Sequence, residues 1–283
     1  MKQVLITSDS TTDLGSELIA RCGVRILPLK VALGDTYYTD GVDITPEDIY
    51  AHYEKTGELP RTAAPNIADT EDFFRRCTQE GYAVVHFTIS SEMSSSYSNA
   101  RLAAENFPDV HVVDTRNLST GGGLLVLRAY ELAAQGLPAQ EIAQRMEALI
   151  PRVDASFVVD DLEFLHKGGR CSALAAFGAN VLQLRPCIVV RDGKMGVGTK
   201  YRGKFAKILP RYILERIGDG SGIEPGHIFI THAGCDETVW KPCVELLEKM
   251  GIFGEIHVTR AGCTISSHCG RNTLGVLFIR KQV

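Results

Sequence analysis

The sequence predicts an α/β protein of two domains, and three observations lead to this prediction. Strand-like and helix-like segments alternate through residues 1–152, a pattern typical of a parallel sheet with helices on both faces. From residue 153 onward a hairpin and further strands replace that alternation, which indicates a mixed or antiparallel sheet covered by helices. The 283 residues, 45% of them hydrophobic, suffice for two cores. We therefore predict a Rossmann-like, three-layer α/β/α parallel-sheet domain at residues 1–152 and an α+β domain at residues 153–283.

Composition and charge exclude several classes of protein. A net charge of −4 argues against a nucleic-acid binder, which normally carries a basic excess. No segment approaches the roughly 20 apolar residues of a membrane span. The apolar run before Asp9 is too short for a signal peptide. We therefore expect a cytoplasmic protein with no nucleic-acid partner and no stable membrane insertion.

The eight cysteines do not form a metal-binding pattern. None of them makes a C-x-x-C pair, and a cytoplasmic chain keeps its thiols reduced. One group has the right chemistry for zinc but lacks a zinc-ribbon spacing, namely His232, Cys235, Cys263, His268 and Cys269. The chain also contains no dinucleotide-binding glycine motif and no Walker loop. We expect buried, reduced cysteines, no metal site and no cofactor.

The first elements place polar side chains where strands end. Residues 3–7 alternate and are β-branched, so they are predicted to form a strand. They lead into Ser-Asp-Ser-Thr-Thr-Asp-Leu at residues 8–14, which can cap a helix at residues 14–22. Ligands of α/β sheets sit at the carboxyl ends of strands, so this loop is a candidate ligand-binding segment. Plain helix capping is the alternative.

The next segment carries a threonine of interest. Residues 24–33 are predicted to form a strand and residues 37–41 an edge strand or turn. Residues 45–57 have a proline at the first helical position and acids in the first turn, so they predict a helix. A proline-bracketed stretch then places Thr62 on a stiff loop, because the residue before a proline avoids the helical region. An ordinary solvent-exposed turn threonine is the alternative to a functional hydroxyl.

A serine-rich segment follows the apolar strand predicted at residues 82–88. Residues 90–98 contain six serines, and a helix continues from them through Ala104. Six serines exceed what one helix cap requires, and hydroxyls beside free helix-start amides form a site for an anionic oxygen. A merely polar loop is the alternative. The domain continues with a strand at residues 110–113, three glycines at 121–123, a helix at 124–135 and a helix after Pro138.

The second half opens with a short strand at residues 157–159 and a short helix. Gly168 and Gly169 are predicted to end this helix with positive φ angles and to present Arg170. The planar fork of an arginine suits a carboxylate or a phosphate. The alternative is a surface arginine in an ion pair.

The remaining elements complete the second sheet. Residues 172–184 are almost uncharged and predict a helix that forms core or lines an apolar cavity. The other predicted elements are a hairpin at 186–190 and 195–201, strands at 227–231, 255–259 and 273–279, and a helix at 239–250. A basic patch follows the hairpin and consists of Lys200, Arg202, Lys204 and Lys207.

Six motifs occur in a fixed order over essentially the whole chain. They are Ser-Asp-Ser-Thr-Thr-Asp-Leu at 8–14, Thr62 ahead of Pro65, Ile-Ser-Ser-Glu-Met-Ser-Ser-Ser-Tyr at 89–97, Val-Asp-Thr at 113–115, Asp-Leu-Glu-Phe-Leu-His-Lys-Gly-Gly-Arg at 161–170, and His-Cys-Gly at 268–270. Each motif is weak alone, but the ordered set is specific. In this order and spacing they resemble the DegV family of bacterial fatty-acid-binding proteins.

The resemblance implies a two-domain protein that holds one long-chain fatty acid in a tunnel between its domains. In family members that serve as kinase subunits, the binding protein is not itself catalytic and presents the acyl carboxylate to a separate ATP-dependent fatty acid kinase. The acyl phosphate then enters phospholipid metabolism. Matched position by position, Thr62 and Ser94, with Ser95 beside it, would hold the carboxylate, while Arg170 and His268 would orient and charge-balance it.

The match has departures, and two other functions remain open. The family usually has Ser-Gln-Pro after the threonine, Gly-Thr after the serine and Gly-Pro-Gly near the histidine, where this chain has Ala63-Ala64-Pro65, Ser95-Ser96 and Gly270-Arg271-Asn272. A lipid carrier without a kinase partner therefore stays possible. A hydrolase using Ser94, His268 and Asp114 is the other alternative, although no G-x-S-x-G elbow occurs. If a kinase partner exists, the basic patch makes Arg202 a candidate docking residue.

Overall fold

The structure is a computed structural model that describes residues 2–177 and 184–282. Strands β1 to β7 are Val4–Asp9, Arg25–Leu27, Lys30–Leu33, Thr36–Thr39, Arg61–Ala63, Ala83–Thr88 and Val110–Asp114. Strands β8 to β13 are Val153–Val159, Leu184–Arg191, Lys194–Arg202, Ile223–Ala233, Glu255–Arg260 and Thr273–Arg280. Helices α1 to α6 are Gly15–Cys22, Pro46–Thr56, Ile67–Gln79, Ser96–Ala104, Thr120–Ala134 and Ala139–Leu149. Helices α7 to α10 are Glu163–Lys167, Phe205–Ile217, Glu237–Met250 and Cys263–Cys269.

The first sheet is parallel and lies between two layers of helices. Its strand order is β2-β1-β6-β7, and each neighbouring pair runs in the same direction. Successive side chains of a strand point to opposite faces. Leu5 and Val84 accordingly pack with α3 and α4, whereas Ile6 and Val85 pack with α1, α5 and α6. The three-layer α/β/α arrangement predicted for this half is confirmed.

The second sheet is mixed and has six strands in the order β10-β9-β8-β13-β11-β12. All neighbours are antiparallel except β11 and β12, which are parallel. Helices α8 and α9 cover one face, where Tyr212 and Leu247 are completely buried. The other face packs against α5, so Phe157, Phe229 and Leu277 belong to the same core as the first sheet. The predicted division of the chain between residues 152 and 153 stays a prediction.

Helix α5 is buried on nearly all sides because it lies between the two sheets. The three glycines of its first turn allow this packing. A Cβ on Gly123 would lie 3.0 Å from the carbonyl oxygen of Thr12 and 2.9 Å from Leu14 Cδ2. A Cβ on Gly121 would lie 3.3 Å from Ala155 Cβ. The glycines therefore serve the contact between the sheets and the N-terminal motif.

Several boundaries differ from the sequence prediction. Pro28 separates the strand predicted at residues 24–33 into β2 and β3, because proline lacks the amide needed for a continuous ladder. Thr62 lies in β5 of a small antiparallel sheet, order β4-β3-β5, and not on a loop. Helices α3 and α10 were not predicted. Of the helix expected at residues 172–184, Ser172–Phe177 is a 3-10 helix, Leu184 begins β9, and residues 178–183 lie outside the described residues.

The turn before Arg170 also differs from the prediction. Only Gly169 has a positive φ, of 70°, whereas Gly168 has a φ of −66° and caps α7 in the right-handed helical region. Elsewhere, the start of α2 is confirmed with Thr45 at the N-cap, Pro46 at the first position and a capping box to Asp48. Among the described helices, none has the length and apolarity needed to span a bilayer.

Candidate ligand-binding site

A cavity of about 360 Å³ lies between the first sheet, the second sheet and α10. This volume falls within the range of about 300 to 1,000 Å³ that is typical of ligand pockets. Its walls are mainly apolar, and side chains from both halves of the chain contribute to them, including Ile89, Leu118, Phe157, Leu165, Met195 and Leu277. The cavity therefore has side chains from both halves of the chain in its walls, and the inter-domain tunnel that the resemblance implied stays a prediction.

All five residues that the resemblance implied as ligand-binding line this one cavity. They are Thr62 of β5, Ser94 and Ser95 before α4, Arg170 after α7, and His268 of α10. Ser95 and Arg170 are exposed, whereas the other three are half-buried. The set joins an apolar wall to hydroxyl groups and a cation, which is the arrangement expected for an amphipathic acid.

Thr62 and His268 are directly hydrogen-bonded. Thr62 Oγ1 lies 2.8 Å from His268 Nε2, and the buried Nδ1 of the same ring has no hydrogen-bond partner among the described residues. A buried N–H without a partner is rarer than an unpaired acceptor, so we assign the proton to Nε2. His268 then donates to Thr62, which leaves the threonine hydroxyl proton free to donate to a ligand.

The charge state of His268 agrees with this assignment. Burial, together with the nearby positive charge of Arg170, lowers the pKa of His268 to about 4. The imidazole is consequently neutral at physiological pH and does not supply a positive charge to the cavity. Arg170 is the only lysine or arginine among the described residues that line the cavity. Any charge balance for an anionic ligand therefore comes from Arg170.

Gly168 positions both Arg170 and His268. Its carbonyl oxygen accepts a hydrogen bond of 2.9 Å from Arg170 Nη1. A Cβ at this position would lie 2.9 Å from His268 Nδ1 and 2.8 Å from the Phe164 carbonyl oxygen. Such distances are far below a normal contact, so the glycine is required by the close approach of the histidine ring. This reason differs from the positive φ that the sequence predicted.

The motif at residues 8–14 does not line the cavity but fixes the helix that carries His268. Asp13 Oδ1 accepts a hydrogen bond of 2.8 Å from the amide of Gly262, the residue before α10. Asp40 accepts from the amides of Cys263 and Thr264 at 2.9 and 3.2 Å. Ser10 also donates to Asp40, at 2.9 Å. The start of the helix is thus bound by carboxyl oxygens from the other half of the chain.

These carboxylates are buried without a described ion pair. Burial raises the pKa of Asp13 to about 8, against the opposing hydrogen bonds from Ser119 and Gly262. Burial likewise raises the pKa of Asp9 to about 6. Sequence reasoning missed Asp40, and it treated the motif at residues 8–14 as a possible ligand-binding loop. The signal available for this motif was the presence of two aspartates, Asp9 and Asp13, at and just beyond the end of a buried strand.

The hydroxyl groups of the serine-rich segment make different kinds of contact. Ser94 Oγ lies 2.9 Å from Ser96 Oγ and accepts from the Ser96 amide at 3.2 Å. Ser90 Oγ donates to the carbonyl oxygen of Gly193 in the β9–β10 turn, at 2.7 Å. Ser98 Oγ donates to the Ser95 carbonyl oxygen. Ser94 and Ser95 therefore face the cavity, while the others hold the segment in place.

The geometry does not form a Ser-His-Asp triad. His268 Nε2 faces Thr62, and Ser94 bonds Ser96. Asp114 accepts from the amides of Ser91 and Arg116, and it does not reach the unpaired Nδ1 of His268. The hydrolase alternative thus lacks both the nucleophile-to-base and the base-to-acid hydrogen bonds that define such a triad.

The five residues considered as an alternative zinc group also do not converge. His232 Nδ1 accepts from the Cys235 amide, and His268 faces Thr62. The thiols of Cys235, Cys263 and Cys269 each contact a different carbonyl oxygen. All eight cysteines are buried and free, so the expectation of buried cysteines is confirmed. Arg202 is exposed at the end of β10 and does not line the cavity.

Comparison with known proteins identifies the family. Residues 3–281 match the family model described as "Uncharacterised protein, DegV family". The chain belongs to the DegV family. The family expected from the ordered motifs is therefore confirmed over nearly the whole chain.

Relatives with full-length similarity support the same assignment. A DegV domain-containing protein of Clostridium acetobutylicum is 31% identical and covers 99% of this chain and 100% of its own length. The solved DegV family protein from Thermus thermophilus, described by its fatty acid binding, is 31% identical, with a TM-score of 0.90 over 99% of this chain and 100% of that one. A stearic-acid-binding protein from Eubacterium ventriosum is 27% identical, with a TM-score of 0.80 over 99% of each chain. The α/β fold class expected from the sequence, with a parallel sheet and a separate mixed sheet, is confirmed by these DegV structures.

Proposed function

We propose that this DegV protein binds one long-chain fatty acid, with the acyl chain in the apolar cavity and the carboxylate at Thr62, Ser94 and Ser95. The observation that carries the proposal is the direct contact of Thr62 with a neutral His268 in a cavity whose other lining is mostly apolar. Similar solved DegV proteins are described as fatty-acid-binding, which supports the same ligand class.

Burial of the acyl chain supplies the driving force. A chain of about sixteen carbons that buries its methylenes at ~0.8 kcal/mol each gains on the order of 12 kcal/mol. This gain exceeds the lower estimates of the cost of association, about 4 kcal/mol and upward. Few polar contacts are then needed for affinity, and the headgroup residues act mainly on the position and charge of the carboxylate.

The carboxylate needs hydrogen bonds because an ionised group out of water is costly. The Thr62 hydroxyl proton is free to donate, since His268 donates to the threonine oxygen. Arg170 is the single lining cation within the described part of the chain. Its exposure keeps the charge in water, so we expect it to contribute modestly to affinity and to balance the ligand charge.

We further propose that the bound carboxylate is presented to an ATP-dependent fatty acid kinase, with Arg202 part of the docking face. Ser95 and Arg170 are exposed, which makes the headgroup accessible to a partner. Arg202, Lys204 and Lys207 are also exposed, and they form a basic surface suited to an acidic partner. The protein itself acts as a cytoplasmic, non-catalytic binding subunit in this proposal.

A carrier without a kinase is the second candidate, and Arg271 is the observation that favours it. Arg271 follows the end of α10, at the position where the family pattern usually has a proline, and its guanidinium lies 4.7 Å from the centre of the Tyr50 ring. It also lies 3.8 Å from Glu54. These contacts hold an extra side chain beside the turn that follows α10. Phosphorylation of bound fatty acid by a matching kinase would decide against the carrier.

Native mass spectrometry of the protein purified from bacteria, followed by organic extraction, tests the binding proposal. We expect one fatty acid per chain. Ile265 lines the cavity, so Ile265→Trp should fill the cavity and abolish the bound fatty acid. Leu214→Trp, at an exposed position on α8, is the control and should retain the bound fatty acid. A folded wild-type protein that carries and accepts no fatty acid would refute the proposal.

A further inference from the structure

Three potential metal ligands converge outside the cavity, at the edge of the second sheet. Ligand atoms of His227, Glu255 and His257 all lie within 4.8 Å of one another. None of the three lines the cavity described above. We propose that they form a binding site for a divalent transition-metal ion of the zinc class.

Strand pairing forces the three side chains onto one face. His227 of β11 pairs with Glu255 of β12 in a parallel register, so their side chains project to the same side. His257 follows Glu255 by two residues and shares its face, because side chains alternate along a strand. The three side chains therefore share one face of the sheet as a consequence of strand register.

A fourth residue sets the tautomer of His227. Glu131 Oε1, from α5, lies 3.0 Å from His227 Nε2. A carboxylate accepts the proton of that nitrogen, so Nδ1 carries a lone pair and faces His257 Nε2 at 3.0 Å. A metal-binding histidine commonly donates its other ring N–H to a carboxylate in this way. Glu131 therefore has the place of an outer partner that orients a ligand.

The distances suit a zinc ion. Two nitrogens bound to tetrahedral zinc at about 2.0 to 2.1 Å are about 3.3 Å apart, and the two ring nitrogens here lie only 3.0 Å apart. Two imidazoles and one carboxylate are a zinc ligand set, with water in the fourth position. Without metal, the same two rings form a hydrogen bond with His257 as donor.

Solvent access also favours an ion. Arg21 Nη1 donates to Glu255 Oε2 at 3.0 Å, and the same oxygen lies 3.6 Å from His257 Nε2; a carboxylate oxygen has more than one lone pair, so it can accept from the arginine and also bind a metal. The side chains of His227 and His257 are 18% and 11% exposed and that of Glu255 is 46% exposed, which gives the ion a route from solvent.

The position of the site indicates what the ion does. β12 is the edge strand of the six-stranded sheet and pairs with β11 alone. An ion held by ligands from both strands links the edge strand to its neighbour, and through Glu131 it fixes both strands against α5. Zinc would therefore stabilise the folded state, because it binds the folded chain and has no preformed site in the unfolded one.

Isothermal titration of chelator-treated full-length protein with zinc, paired with thermal unfolding, tests this proposal. We expect one zinc per chain and a higher unfolding temperature. Glu131→Gln should weaken binding about 10- to 100-fold, and His257→Gln should weaken it more. His111→Gln, which removes a partly exposed histidine from β7, should leave binding unchanged.

Two further measurements keep the ligand assignment falsifiable. Glu255→Gln, at a partly exposed position, tests the same site if His257→Gln fails to fold. Cobalt should give tetrahedral absorption without a thiolate band, whereas a thiolate band would place the metal on the nearby Cys22 and refute the assignment. Absence of saturable zinc binding, or binding that survives both substitutions, would also overturn the proposal.

Discussion

Thr62 Oγ1 and His268 Nε2 lie 2.8 Å apart although 206 residues separate them in the chain. This hydrogen bond joins the small antiparallel sheet of the N-terminal half to the helix α10 of the C-terminal half. It also directs the threonine hydroxyl proton away from the histidine. The first prediction follows from it.

Thr62→Val should weaken palmitate binding by about tenfold to a hundredfold. The substitution removes a hydroxyl donor to a charged carboxylate, and a hydrogen bond to a charged group contributes about 1.5 to 3 kcal/mol. It also leaves the His268 N–H unpaired. Equilibrium binding of palmitate to delipidated protein measures the change. Thr62→Ser keeps the hydroxyl and should bind within a few-fold of wild type, and equal losses in both variants would contradict this role.

Gly168→Ala should displace His268. The added methyl group would lie 2.9 Å from His268 Nδ1, and overpacking of this kind costs about 1 to 3 kcal/mol. We expect the free energy of unfolding to fall by that amount and palmitate affinity to fall with it, as measured by denaturant titration and by binding. Gly222→Ala is the matched control, because nothing lies within 4 Å of a Cβ there. Unchanged affinity in Gly168→Ala would show that the histidine position does not matter for binding.

Arg170→Ala should weaken palmitate binding about fivefold. The guanidinium is exposed, so solvent screens it and a contribution of about 1 kcal/mol is expected. Arg170→Lys should retain most of the affinity. Hexadecanol has the same chain without the charge, so its binding should be unaffected by Arg170→Ala. A loss that is equal for the acid and the alcohol would mean that Arg170 acts through structure and not through charge.

Asp13→Asn should make the protein less sensitive to alkaline pH. The pKa of Asp13 is raised to about 8 in the fold, above its ordinary value of 3.8, so the folded state keeps a proton that the unfolded state loses. Its stabilising contribution is complete below pH 3.8 and is lost as pH rises to 8, with a slope of up to about 1.4 kcal/mol per pH unit. The free energy of unfolding of Asp13→Asn, relative to that of the wild type, should therefore increase as pH rises from 3.8 to 8.

Other groups near Asp13 also have shifted pKa values, which is why the difference between variant and wild type is measured. The pKa of Asp9 is raised to about 6, and the charges of Asp9 and Asp40 both raise the pKa of Asp13. His268 acts with the opposite sign, because its pKa is lowered to about 4 and its contribution is lost as pH falls from 6.5. Asp35→Asn, in an exposed turn, serves as the control. A difference that is independent of pH would show that Asp13 is ionised in the fold.

Arg202→Glu should reduce phosphorylation of bound fatty acid by a matching kinase while palmitate affinity stays unchanged. The side chain is exposed and lies outside the cavity lining, so its reversal alters the docking surface alone. Lys249→Glu reverses an exposed charge at the end of α9 and should have no effect on phosphorylation. Wild-type phosphorylation in Arg202→Glu would remove this residue from the docking face.

Local pattern was sufficient for most of the fold. The alternation of strands and helices predicted the parallel sheet, and the proline and acids of the first turn placed the start of α2 correctly. The ordered motifs pointed to the five proposed binding residues, including Arg170 and His268, and all five line the cavity. The 13-residue helix α3 was missed although it has an apolar face. Pattern also failed at two short elements, the strand β5 that carries Thr62 and the seven-residue helix α10. Such elements are stabilised by tertiary contacts and not by intrinsic propensity.

The sequence by itself determined the fold class, the family and the residue types present at the proposed headgroup site, because these depend on periodicity and on motifs read in order. Only the tertiary structure decided how those residues act. The neutral state of His268 depends on burial, the need for glycine at position 168 depends on the approach of a distant ring, and the link from Asp13 and Asp40 to α10 depends on packing between the two halves. The His227, Glu255 and His257 group likewise exists through strand register, which no spacing along the chain expresses.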